Sequence, residues 1–145
     1  PADLRQKVKD VPVYTQESFY EGIKFVRFMK GRLLFYAQSI PWFESEWLID
    51  NELGRMGNNF FTQPLQTYGK LRFGEQLTAE ETLDRLAGNL ITPEQRAAMR
   101  RFFELVSQPI PEGKKKNRAR EIAVMFDTVQ RVLEDIRADI SETGR

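Results

Sequence analysis

Six apolar residues near the end of the chain, Ile122, Phe126, Val129, Leu133, Ile136 and Ile140, are spaced 4, 3, 4, 3 and 4 apart. Only a helix returns side chains to one face at that rhythm, so this segment reads as a long helix with one continuous buried side. Asp127, Arg131 and Asp135 stand four apart on the other side, a solvent-facing row worth a few tenths of a kcal/mol per pair. The preceding segment repeats the spacing in Ala98, Phe102 and Leu105. Two such stripes in sequence point to helix on helix, and the expected fold class is all-α: a compact, largely antiparallel bundle of four to five helices.

Boundaries follow from capping chemistry, in which a side chain accepts from an otherwise unpaired backbone N–H. Ser18 with Glu21 opens a first helix running to about Ile40, and Pro41 begins a second segment, PWFESEWLIDNELGRM, that stops at Gly57. Thr78 with Glu81 opens a third, ended by Gly88 and Asn89. Thr92, Pro93 and Gln95 open a fourth, terminated by Pro109 and Pro111, and the last starts near Asn117. Residues 58–77, with Pro64, Gly69 and Gly74 and no helical period, read as a long ordered loop with a short hairpin at YGKLRFG. The chain is expected to form one domain, 1–145, with an N-terminal arm over 1–14 and a basic linker over 108–117.

On a wheel of 100° per residue, Phe19, Ile23, Phe25, Val26, Met29, Leu33, Leu34, Tyr36, Ala37 and Ile40 cover one half of the first helix, interrupted only by Lys30. The opposite half carries Lys24, Arg27 and Arg32, but also Phe28 and Phe35. Two readings of this stripe stand side by side. In one, the helix is central, the 58–76 loop covers both rings, and the cations reach past them to water. In the other, the rings and cations form a contact surface for a partner protein or stacked bases.

The chain contains neither His nor Cys. This removes the commonest general base, thiolate nucleophiles, zinc-thiolate sites and histidine-based metal sites. Phosphate-loop, dinucleotide and nucleophile-elbow motifs are also absent. With 22 Lys and Arg against 21 Asp and Glu, no global field draws the chain to a phosphate backbone or bilayer. The charges of the first helix interrupt any run long enough to span a membrane. We therefore expect no enzyme activity, cofactor or metal. A cytoplasmic location is favoured, with a leader removed ahead of Pro1 left open, since the chain does not begin with Met.

GKKKNRAR places Lys114, Lys115, Lys116, Arg118 and Arg120 just ahead of the last helix, with Arg100 and Arg101 in the helix before. Cations oppose the dipole at a helix N-terminus, so the cluster is either a solvated linker or a phosphate-binding patch. Glu80, Glu81 and Asp84 could hold Mg2+ for nucleotide hydrolysis only with a second acidic pair opposite, and none is evident. Glu44 and Glu46 suit a first helical turn, with Asp50 and Glu52 following. The leading expectation is a non-enzymatic accessory subunit or adaptor that docks onto a larger protein assembly through Lys24, Phe28, Arg32 and Phe35. The rival is a nucleic-acid-associated accessory protein using the basic cluster, and no motif is specific enough to name a family.

Overall fold

The computed structural model describes the backbone of residues 13–38 and 53–143 and the side chains of 17–38 and 53–140. Among these residues the architecture is all-α, with five helices and no strand. They are α1 (Val13–Gln38), α2 (Leu53–Gly57, Asn58–Thr62 and Gln63–Phe73 in one unbroken run), α3 (Ala79–Leu86), α4 (Pro93–Ser107) and α5 (Lys115–Thr143).

The six-residue stripe of α5 is fully buried. Its principal partner is α1, which lies antiparallel to it: Arg27 pairs with Glu134 at 3.8 Å and Lys30 with Asp127 at 2.6 Å, one number rising as the other falls. Lys30, the one cation on the apolar half of α1, thus reaches an acid on the neighbouring helix while its stem covers apolar surface. The rest of that half, from Phe19 to Ala37, is buried apart from a half-buried Leu34. Helix α4 runs antiparallel to α5 along its other side and contributes Met99, Phe102, Leu105 and Val106 to the core.

Four helices meet in a chain of rings. Phe25 of α1 stands at 6.0 Å from Phe61 of α2, Phe61 lies edge-on to Phe102 of α4 at 5.0 Å, and Phe102 is tilted against Phe126 of α5 at 6.0 Å. Offset and edge-to-face pairs at these separations contribute beyond the area they bury.

Residues 58–77 are not the loop with a hairpin that their composition suggests. Asn58–Thr62 forms one π-helical turn and Gln63–Phe73 a regular helix, including the whole YGKLRF segment. Pro64 sits in the first turn of that α-helical stretch, where its missing N–H matters least. Gly69 lies inside this helix where Thr82 of α3 packs against it, and a Cβ there would overlap Thr82 Oγ1. Gly57 likewise does not stop a helix, since its backbone is αR and a Cβ would stand 3.0 Å from Val106 of α4. The glycine that does end α2 is Gly74, at φ 75°.

Two starts also move. Helix α1 is under way at Val13, so Ser18 lies inside it and does not cap it, and Val13 and Tyr14 belong to the helix rather than to an arm. The nearest breaker in the sequence is Pro12, and the turn around Ser18 is held by packing, with Phe19 edge-on to Tyr68 at 6.1 Å. Helix α5 begins at Lys115, which takes Lys115 and Lys116 out of the linker and into its first turn. The capping boxes at Thr78/Glu81 and Thr92/Gln95 form as expected, with both reciprocal bonds present. The remainder of the arm, the end of α1 at Ile40, and the segment with Pro41, Glu44, Glu46, Asp50 and Glu52 lie outside the described residues.

Candidate functional site

The outer face of α1 carries the aromatic and cationic residues. Phe28 is 61% exposed, Phe35 47% and Tyr20 37%, so the 58–76 segment does not bury these rings. That segment turns Phe60 and Phe61 toward Phe25 instead, Phe60 stacking on it at 5.0 Å. Cations lie over the exposed rings. The Arg32 guanidinium is 4.4 Å from the centre of Phe28, and Tyr20 has Lys24 and Arg137 each 4.8 Å from its own. Lys24 also pairs with Glu21 at 2.8 Å. Such stacking holds long side chains close to the helix and presents a firm surface of alternating ring and charge. Gly31 lies among them, exposed and in mid-helix.

Tyr20 and Gly31 did not enter the sequence reading of this surface. Tyr20 precedes Lys24 by one helical turn, a spacing that would have placed it. Gly31 was passed over because a lone helical glycine has no meaning until its neighbours are known.

The basic cluster is dispersed by the fold. Arg118 Nη1 donates to the carbonyls of Leu105 and Gln108 at 2.7 and 3.2 Å, capping the C-terminal end of α4. Arg120 donates to the Ala37 carbonyl at 3.3 Å near the end of α1. The last carbonyls of a helix lack intrahelical donors, and each guanidinium supplies one. Arg101 bonds Glu121 at 3.2 Å and Arg100 lies 3.8 Å from Glu80 and Glu104, so both arginines are engaged by acids. Lys114 and Lys116 are exposed and Lys115 is half-buried.

The acids of α3 are similarly engaged. Glu81 accepts from the Thr78 backbone N–H, which holds its carboxyl below the usual range. Asp84 pairs with Arg96 and Glu80 with Arg100. No cluster able to hold a metal ion occurs among the described residues. Beside Glu80 is an open depression of about 360 Å³ lined by Thr62, Gln66, Thr78, Ala79 and Phe103.

One part-buried polar network joins α2 and α5. The Tyr68 hydroxyl, on a fully buried ring, donates to Asp139, and Arg72 Nη1 donates to Asp139 and to the Tyr68 oxygen at 3.1 Å. Burial, followed by the bond to Asp139, pushes the phenol well above its ordinary 10. A general base or nucleophile would need the opposite shift, so this network suits a clamp between helices.

The clamp has a measurable pH signature. In the unfolded chain the phenol ionises near pH 10, whereas in the fold it keeps its proton beyond that. Its stabilising contribution is therefore complete below pH 10 and is lost above it at about 1.4 kcal/mol per pH unit. Urea unfolding at pH 9 and pH 11 should show a steeper loss for the native protein than for Tyr68→Phe. Equal losses would mean that the phenol ionises alike in both states.

Fold and surface together define an all-α protein, with five helices among the described residues and an exposed aromatic and cationic helix face. No helix among the described residues is long and apolar enough to cross a membrane. The chain matches no protein-family model, and no curated protein or solved structure gives a significant match.

Proposed function

We propose that the protein is a non-enzymatic accessory subunit or adaptor that docks onto a larger protein assembly through the outer face of α1. Lys24, Phe28, Arg32 and Phe35 make the contact, with Tyr20 at its edge. The observation that carries this reading is Phe28, which turns 61% of its surface to solvent under the Arg32 guanidinium. Aromatic residues and arginine are the types enriched at the centres of protein interfaces. The rival reading, nucleic-acid binding by the 113–120 cluster, is less well supported, because Arg118 and Arg120 serve helix ends and Arg100 and Arg101 sit beside acids.

The test compares immobilised native protein with the Phe28→Ala/Phe35→Ala variant in extract with and without nuclease treatment, at low and high salt. The native protein should retain a defined protein complex through high salt, because apolar contacts are not screened. The variant should lose it while its stability moves by less than about 1 kcal/mol, as for other surface changes. A stability loss of about 3 kcal/mol or more per ring would make the rings structural. Retention only of nucleic acid that salt removes would transfer the function to the lysines.

A further inference from the structure

The buried positions along α2 do not keep the rhythm of an α-helix. Leu53, Gly57, Phe61 and Leu65 are buried at spacings of 4, 4 and 4. At 100° per residue a straight α-helix turns the last of these about 120° away from the first. The π turn Asn58–Thr62 lies between them, closed by the Gln63 N–H, which donates to the Asn58 carbonyl five residues back. A π turn takes up one residue more than an α turn, so it brings Leu53 and Leu65 back to within about 20° of one another.

Both halves of α2 are seated on other helices, which fixes the phase between them. The first half rests on α4, where a Cβ on Gly54 would stand 3.1 Å from the Val106 carbonyl and one on Gly57 3.0 Å from the Val106 side chain. The second half rests on α3, where Gly69 faces Thr82. Pro64 decides where the extra residue is held. In a continuous α-helix it would offer no N–H to the Phe60 carbonyl, and its ring would press on that carbonyl. The Phe60 carbonyl lies against α1 at Gly22, where a Cβ would stand 2.9 Å from it and only glycine leaves room.

We propose that the Asn58–Thr62 turn is a register joint: it absorbs one residue beyond what a straight helix would use, and so lets the two halves of α2 seat on α4 and α3 at once. Without the exposed Asn59, the buried positions Leu53, Gly57, Phe61, Leu65 and Tyr68 would be spaced 4, 3, 4 and 3, which is the rhythm of the α5 stripe. The joint is a property of the fold and stands apart from the docking reading of α1.

The experiment removes one residue at a time and reads Tm by circular dichroism. Deleting Asn59 forces Pro64 into a continuous α-helix and should lower Tm by about 10 °C. Adding Pro64→Ala to that deletion should return Tm to within about 5 °C of the native value, whereas Pro64→Ala in the native chain should not raise it. Deleting the exposed Gln66 together with Pro64→Ala should lower Tm by about 10 °C or more, because Tyr68 and Gly69 then turn about 100° from their seats. Gly69→Ala should cost as much in the Asn59-deleted, Pro64→Ala protein as in the native chain, since α3 keeps its seat. An Asn59-deleted, Pro64→Ala protein as unstable as the Gln66 deletion, a Gln66 deletion as stable as the native chain, or Pro64→Ala acting alike with and without Asn59 overturns the proposal. So does a Gly69→Ala change that costs nothing once Asn59 is gone.

Discussion

Phe102→Ala is expected to destabilise the protein by about 3–5 kcal/mol, the largest effect of any single ring in the described core. Phe102 is fully buried and touches the ring of Phe61 at 5.0 Å and those of Phe103 and Phe126 at 6.0 Å. It therefore joins α2, α4 and α5 at one point, and through Phe61 and Phe25 it also reaches α1. Truncation removes the transfer free energy of the ring and leaves a cavity walled by three helices, each held by its own caps or ion pairs and so slow to collapse inward. Small domains have a total stability of only about 5–15 kcal/mol, so the variant should show a clearly lowered urea midpoint and Tm. Phe102→Leu should recover part of the loss by refilling the space. A loss below about 1 kcal/mol would mean that the rings do not converge as described.

Gly69→Ala should destabilise by about 1–3 kcal/mol, although alanine is the better helix former by about 1 kcal/mol. The new methyl would overlap Thr82 Oγ1 and stand 3.1 Å from both its Cβ and Cγ2. Thr82 cannot turn aside: it is fully buried, β-branched, and its hydroxyl donates to the Thr78 carbonyl at 2.9 Å. The two helices must part, and α3 loses its seat on α2. Thr82→Ala made together with Gly69→Ala should restore part of the stability, and the double-mutant cycle should give a favourable interaction energy of at least about 0.5 kcal/mol. Strict additivity would show that the two positions do not touch. Gly31→Ala, the same substitution in a helix where nothing faces the glycine, should move Tm the other way.

Gly57, Gly69 and Gly31 also mark the limit of what could be read without the fold. All three are glycines in helices. Composition assigned Gly57 to a helix stop and Gly69 to a hairpin, because glycine lowers helix propensity wherever it occurs. Propensity is a weak, local term, and here both glycines stand in a continuous helix where Val106 and Thr82, distant in sequence, leave no room for a Cβ. The start of α1 failed for a related reason. Ser18 and Glu21 have the right spacing for a capping box, but a box forms only where the helix begins, and the helix is already under way at Val13. Of the basic cluster, Arg118 and Arg120 were indistinguishable in sequence from solvated charges, since their carbonyl partners lie on α4 and α1.

What the amino-acid order determined on its own was whatever repeats or couples over a few residues. The α5 stripe, the apolar half of α1 and the boxes at Thr78 and Thr92 each depend on neighbours one turn away, and each is present in the fold. The absence of His and Cys set bounds on chemistry in the same direct way. Tertiary structure alone decided which glycines are contacts, which arginines are caps, and that Phe28 and Phe35 face outward while Phe25, on the same helix, is buried against Phe60 and Phe61. Those outcomes turn on which helix lies beside which, and that is set by pairs of residues as far apart as Gly22 and Leu133, whose proximity no local pattern encodes.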